Sequence, residues 1–301
     1  MKTKKDLTVF VNAFRSAYLK EALESVRVSL SCVPACFSTQ VIVCVLSEDV
    51  RVFLDENREN LILPDYKVLE YLEGAEIERN SRAMDFFYER GVIEGQFFHE
   101  MSDDDLVEPL FYGLALNVLR SQNAPIVTFH WDMIYEDGSC GYRMPFFKRA
   151  CVISGKEASR LSLVSSFRHA VATIANTNLT FSIKKSARTP ILGDVHEWLH
   201  WCMQTGFAWL PVRGFWYRVY QASMWDKNLD TIDGNLHLYM EYLKVYREKY
   251  GITHEENDII ESKLKDRHSR QGRAARYIRA KDTNGYLGGG SYDVPDGAAL
   301  L

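Results

Sequence analysis

The chain contains no apolar stretch approaching the ~18 to 20 residues that a membrane-spanning helix needs, so no such span is expected. It also lacks an excess of positive charge: 36 Lys and Arg face 40 Asp and Glu, the formal net charge is −4 and the pI is near 6.1, which argues against wholesale nucleic-acid binding. Its six cysteines (Cys32, Cys36, Cys44, Cys140, Cys151 and Cys202) form no CxxC pair, which removes the usual zinc pattern and makes buried free thiols the expectation. The opening MKTKKDLTVFVNAF is basic, but Asp6, Asn12 and Arg15 leave too short an apolar run for a secretory signal, so the expected location is the cytoplasm. No internal repeat is evident, and NAFRSAY, which comes after the first apolar run, is no glycine-rich phosphate loop of the kind a nucleotidyltransferase would usually carry there. What remains is an ordinary globular composition, 47% hydrophobic and 13% aromatic over 301 residues, with ample material for a core.

What is present alternates. Leu7 to Val11 is a β-branched-rich apolar run of the kind expected for a strand covered on both faces. Leu19, Leu23, Val26 and Leu30 recur at helical spacing and predict a helix over about 17–30. Val41 to Leu46 reads as a second buried strand, 52–60 as helix, 66–71 as a third strand and 78–90 as helix. This β-α-β-α-β-α order, leading into a further strand, predicts a mainly parallel α/β sheet flanked by helices. In such sheets ligands sit beyond the carboxyl ends of the strands.

At that end of the fourth strand stands QFFHEMSDDDLVEP, in which Phe97, Phe98 and Met101 run directly into Asp103, Asp104 and Asp105. Adjacent carboxylates raise one another's pKa and repel unless a cation is bound. A hard divalent ion such as Mg²⁺ or Mn²⁺, which prefers carboxylate and water oxygens, would relieve them. A solvated acidic turn or helix start is the alternative, since Asp is favoured there.

Further short motifs fall in a definite order: Asn12-Ala13-Phe14-Arg15, then Tyr18-Leu19-Lys20-Glu21-Ala22-Leu23, then Arg79-Asn80, Ser102-Asp103-Asp104-Asp105-Leu106-Val107-Glu108-Pro109, Gly193-Asp194, and Tyr217-Arg218-Val219-Tyr220-Gln221-Ala222-Ser223. Over residues 7–223 the series resembles the motifs of a family 2 glycosyltransferase of the GT-A fold, a class of nucleotide-sugar enzymes. The resemblance implies a GT-A domain over 1–230, with about 1–110 binding a nucleotide-diphosphate sugar and 111–230 the acceptor. It implies Asn12, Ala13, Phe14, Arg15, Arg79, Asn80, Asp103 and Arg218 at the donor, Asp104 and Asp105 at a Mg²⁺ or Mn²⁺ ion, Asp194 as catalytic base, and inversion at the transferred sugar. The acceptor would be a glycan or a lipid-linked sugar of cell-surface polysaccharide synthesis. The sequence departs from the family at Val45-Leu46, where acidic residues usually meet the base, at Ser102, at Gly193 and at Tyr220. A shift by one residue would restore a D-x-D as Asp103 and Asp105. The departures also allow a binding or scaffold relative that has lost turnover.

Residue type alone leaves several roles open. Asp194 is a base, or an N-cap of the helix over 195–204, with His196 and Glu197 as fallback bases. Arg79 binds phosphate or solvates a helix start, and Arg218 contacts a diphosphate or is a stacked structural arginine. Trp198, Trp201, Phe207, Trp209, Phe215 and Trp216 suit sugar stacking or a core. Residues 231–282 predict a helical extension, whose basic run from Lys263 to Lys281 is a solvated face or a surface docking peripherally on the inner face of an anionic membrane. A flexible tail is expected over 283–301.

Overall fold

The computed structural model describes residues 5–57, 66–74, 76–143, 145–164, 170–185, 193–219, 232–265, 294–295 and 298–301. The first half has the expected alternation: β1 (Lys5–Ala13), α1 (Leu19–Ser31), β2 (Thr39–Val45), α2 (Glu48–Asn57), β3 (Tyr66–Glu70), α3 (Glu76–Glu89) and β4 (Gly95–Ser102). β1 lies between β2 and β4, β3 lies beyond β2, and all three ladders are parallel. From Leu7 to Ala13 every residue of β1 is buried, because helices cover both faces of the sheet. Val9, Val11, Val41 and Val43 pack with α1, whereas Phe10, Ile42 and Cys44 pack with Ala83, Met84 and Phe87 of α3. The buried Thr8 hydroxyl is satisfied within the sheet, donating to Gln40 at 2.8 Å and accepting from the Gly95 amide at 2.8 Å.

α1 anchors the two elements after β4. Leu19, Ala22, Leu23, Val26 and Leu30 form its buried stripe, and two serines serve neighbouring backbone. Ser25 Oγ accepts the Val107 amide of β5 (Leu106–Val107) at 3.2 Å. Ser29 Oγ accepts the Tyr112 amide of α4 (Phe111–Ser121) at 3.2 Å, serving one of the orphan N–H groups of that helix start.

The second half is less regular. It runs β6 (Ile126–Tyr135), β7 (Cys140–Gly141), β8 (Cys151–Ile153), α5 (Gly155–Val164), β9 (Thr173–Asn176), α6 (Thr177–Thr180), α7 (Gly193–Gln204), β10 (Phe207–Val219), α8 (Ile232–Tyr250), a helix α9 over 254–265, and β11 (Ala299–Leu300). The strands complete one sheet in the order β11-β8-β10-β6-β9-β4-β1-β2-β3, with β5 on β10 and β7 on β6. β9 is antiparallel to both β4 and β6, while the long β6–β10 ladder is parallel. The long ladders are thus parallel, as expected, and short antiparallel strands join and edge them. β10 slips register on either side of Arg213. Pro211, which has no amide to donate, and Gly214, where a Cβ would stand 2.7 Å from both Phe111 and Phe129, flank that irregularity.

Two expectations change. Residues 299–300, read from sequence as part of a flexible tail, pair with β8, and the Leu301 amide donates to Ala150 O at 3.1 Å. They close an edge that β8 would otherwise leave open. Of the six free cysteines, Cys44, Cys151 and Cys202 are buried, but Cys32, Cys36 and Cys140 are exposed, because they stand at the end of α1, in the turn beyond it and in the β6–β7 hairpin. Leu243, Tyr246, Ile260 and Leu264 of α8 and α9 pack against Leu163, Leu199 and Met203, so the helical extension shares a core with α5 and α7. Among the described residues no helix is long and apolar enough to cross a membrane.

His99, fully buried in β4, lies between Tyr112 Oη at 3.0 Å and Val171 O at 2.6 Å. Burial outweighs the Val171 bond and holds its pKa down to about 4. The folded ring is therefore neutral. Below the unfolded value of about 6.5 the unfolded chain gains a proton that the fold refuses, so this contribution is present above pH 6.5 and lost as pH falls toward 4. Urea unfolding should show that His99→Gln reduces the stability difference between pH 7 and pH 4.5 by about 2 to 3 kcal/mol. An unchanged difference would contradict this assignment.

Candidate active site at the carboxyl end of the sheet

The Asp run lies directly after β4 and meets the loop after β1, because the two strands are parallel neighbours. Asp103 Oδ2 accepts the amides of Phe14 and Arg15, each at 2.6 Å, and Oδ1 accepts Arg15 Nη2 at 2.6 Å and Nε at 3.2 Å. Both of its oxygens are occupied, so Asp103 orders the loop that the motif resemblance assigns to the donor. The same loop is fixed on its β2 side: Ser47 Oγ donates to Phe14 O at 2.7 Å and the Ser16 amide to Asp49 at 3.0 Å.

Asp104 and Asp105 are buried behind this clamp. Asp104 Oδ2 accepts Arg15 Nη2 at 2.8 Å, and Asp105 Oδ1 accepts the Arg218 amide at 2.8 Å. Burial, then the charge of Asp103 working against Arg15, pushes Asp104 up to about 6. Burial and the Asp104 charge hold Asp105 well above the carboxylate range. The second oxygen of each makes no hydrogen bond to another residue among the described ones. No group of three or more His, Cys, Asp or Glu forms a ready metal cage among the described residues. Two buried, charge-starved carboxylates fit an ion that takes one or two protein oxygens and leaves its other positions to water and substrate phosphate.

Arg218 is more structural than the motif implies. Its Nε donates to Asp104 O at 2.7 Å, its Nη2 to Glu21 at 2.6 Å, and its guanidinium lies 4.1 Å from the Tyr18 ring centre. It thereby ties the closing motif to the Asp run and to α1. Arg79 donates to the carbonyls of Leu46, at 2.9 Å, and Gly74, at 3.2 Å, bracing the end of β2. Asn80 accepts from the Ser81 amide at 2.7 Å. Tyr220 lies outside the described residues.

Asp194 is the second residue of α7, and its side chain lies outside the described residues. One turn later, Glu197 enters a buried network that residue type did not reveal. Lys185 Nζ stands 2.6 Å from Glu197 and 3.0 Å from Glu100 of β4. The other Glu100 oxygen accepts Asn12 Nδ2 at 3.1 Å. The start of α7 is thus tied to the ends of β1 and β4, and Glu197 serves an ion pair. His196 packs edge-on to Tyr242 of α8, with ring centres 5.8 Å apart.

Among solved structures, residues 1–349 of S. aureus TarS superpose with a TM-score of 0.55 at 15% identity, covering 94% of this chain and 89% of that one. TarS 1–349 crystallised with UDP-GlcNAc gives 0.52 at 16% identity, and with UDP 0.53 at 15%, with the same coverage of both chains. The fold is GT-A. No protein-family model matches the sequence, and no curated protein matches it.

On the far side of the Asp run from β1 lies a second polar cluster. Trp216 of β10 pairs with Leu106 on one side and with Asp132 of β6 on the other. Asp132 Oδ1 accepts the Arg143 amide at 2.7 Å and lies 3.2 Å from His130 Nε2, and Oδ2 lies 3.5 Å from Arg213 Nη1. Glu108 accepts Arg213 Nε at 2.7 Å and Trp216 Nε1 at 2.8 Å. The Arg143 guanidinium covers the Trp131 ring at 3.7 Å. The sequence held a signal for this cluster: His130-Trp131-Asp132 brings polar residues into an apolar strand, as Ser102 and the Asp run do after β4.

Proposed function

We propose that this protein is a metal-dependent, inverting glycosyltransferase that moves a sugar from a nucleotide-diphosphate sugar to a glycan or lipid-linked acceptor in cell-surface polysaccharide synthesis. The observation that carries the reading is the clamp in which Asp103 fixes Phe14 and Arg15 beside the buried carboxylates of Asp104 and Asp105. The TarS complexes with UDP and UDP-GlcNAc support a uridine diphosphate sugar as the first donor to try.

In this reading the acceptor hydroxyl attacks the anomeric carbon while the bond from that carbon to the diphosphate oxygen breaks. The electron pair leaves with the diphosphate, and the hydroxyl proton passes to Asp194. A single displacement inverts the anomeric centre. Asp104 and Asp105 would hold Mg²⁺ or Mn²⁺, which supplies Lewis-acid stabilisation of the departing diphosphate. Because both oxygens of Asp103 are taken, the gap-free alignment, with Asp104 and Asp105 at the ion, is favoured over the shifted one. The half-exposed Arg15 adds fixed positive charge beside them. The basic run to Lys281, of which only 263–265 is described, would hold the enzyme against the inner face of an anionic membrane.

Thermal denaturation with a panel of nucleotide sugars tests this. At ~100 Kd the correct donor with Mn²⁺ adds about 2.7 kcal/mol, roughly 4 °C for a chain of 301 residues. Asp104→Asn should remove the Mn²⁺-dependent part of that shift. Failure of every nucleotide-diphosphate sugar to raise the melting temperature would sink the reading.

A further inference from the structure

Arg143 is a cation short of partners. Its Nε is buried without a hydrogen-bond acceptor, and its guanidinium makes no ion pair or hydrogen bond among the described residues. The neighbouring carboxylate, Asp132, spends its oxygens on the Arg143 amide, His130 and Arg213. Burial lowers the Arg143 pKa to about 10, with Asp132 only partly opposing the fall. A buried donor left unmade is costly, so such a group is expected to be completed by something that binds.

Its position says what. β4 and β6 are both antiparallel to β9, hence parallel to each other, and Ala175 pairs with both Phe98 and Ile126. Counting onward from that level, Ser102 stands level with His130, and the Asp run with Trp131 and the residues after it. Arg143 on Trp131 is therefore at the carboxyl end of the sheet. The loop with Asn12 to Arg15 adjoins the Asp run from β1, whereas Trp131, with Arg143 over its ring, stands on β6, which pairs with β10. Aromatic faces accompany the cation: Trp131 lies beneath it, Tyr142 is 73% exposed, and Trp216 lies 6.1 Å from Tyr142.

We propose that Arg143 and the Trp131 face form a subsite for an oxyanion, a phosphate or carboxylate, carried by the sugar acceptor. A guanidinium fork matches both groups bidentately, and flanking rings suit a sugar or polyol attached to them. The subsite rests on the glycosyltransferase reading for its link to an acceptor, but its binding can be measured without it.

The test is a titration of the full chain with glycerol phosphate and with glucuronate, monitored through the ¹⁵N-indole signal of Trp131, with glycerol and glucose as neutral controls. An anionic probe should shift that signal and the neutral ones should not. Arg143→Met should weaken the anion roughly 10- to 100-fold, the loss of charge-assisted hydrogen bonds, while melting temperature and UDP affinity stay unchanged. Arg143→Lys, which keeps charge but not the fork, should fall between, and it decides the matter if Arg143→Met does not fold. The titration is repeated with UDP present. Displacement of the anion by UDP would assign the site to the donor diphosphate and overturn the proposal, as would equal affinity in the Arg143 variants or a response to neither anion. If UDP does not bind, it is the donor reading that fails, and the titration of the free protein still decides the subsite.

Discussion

Asp194→Asn should lower sugar transfer by roughly 10²- to 10⁴-fold, about 3 to 5 kcal/mol of barrier, with donor affinity unchanged. Asparagine has nearly the same shape, but it cannot accept the acceptor's proton near neutral pH. The structural cost is small: α7 begins at Gly193, so Asp194 stands in the first turn, where losing a negative charge costs ~0.3 to 1 kcal/mol of helix stabilisation. Melting temperature, donor affinity and transfer rate measured on one preparation separate the roles. Transfer within a few fold of wild type would remove the base from this position. Glu197 could not readily replace it, since its carboxylate is buried against Lys185.

Lys185→Met should cost about 3 to 5 kcal/mol of stability, because it strips the cation shared by two carboxylates. Lys185 and Glu197 are each 1% exposed, so water cannot compensate. Removing one member of a buried pair leaves an uncompensated charge, whereas removing both can be close to neutral. Glu197→Gln added to Lys185→Met should therefore restore much of the loss. Urea unfolding of the two variants measures this, and a loss below about 1 kcal/mol for Lys185→Met would mean that the pair contributes little. Transfer should fall as well, since the same contacts hold the α7 start against Glu100 and Asn12.

How much of this was legible in the sequence depends on the range of each interaction. β1 and β2 announced themselves because a strand covered on both faces is a continuous apolar run, and α1 because its buried stripe has helical period. The Asp run stood out because three like charges ending an apolar strand break the pattern. β9 did not: Thr173–Asn176 is too short to show a period, and its antiparallel place between β4 and β6 is a tertiary fact. β10 hid behind Pro211 and Gly214, which read as breaks although they mark register slips within one long strand. The ion-pair partners of Lys185 and Arg218 could not be read from local spacing. Glu100 precedes Lys185 by 85 residues and Glu21 precedes Arg218 by 197, and no local spacing encodes such pairs. The motif resemblance put Arg218 at the donor diphosphate, and the fold shows it holding the Asp104 carbonyl.

The most direct measurement is release of free nucleoside diphosphate when the protein is incubated with Mg²⁺ or Mn²⁺ and each nucleotide sugar in turn. The account predicts that one donor class is cleaved, slowly to water and faster with a sugar acceptor, and that Asp194→Asn lowers acceptor-dependent release by roughly 10²- to 10⁴-fold while keeping the donor-induced rise in melting temperature. Donor binding with no release from any nucleotide sugar, with or without acceptor, would contradict it and describe a glycan-assembly binding protein instead.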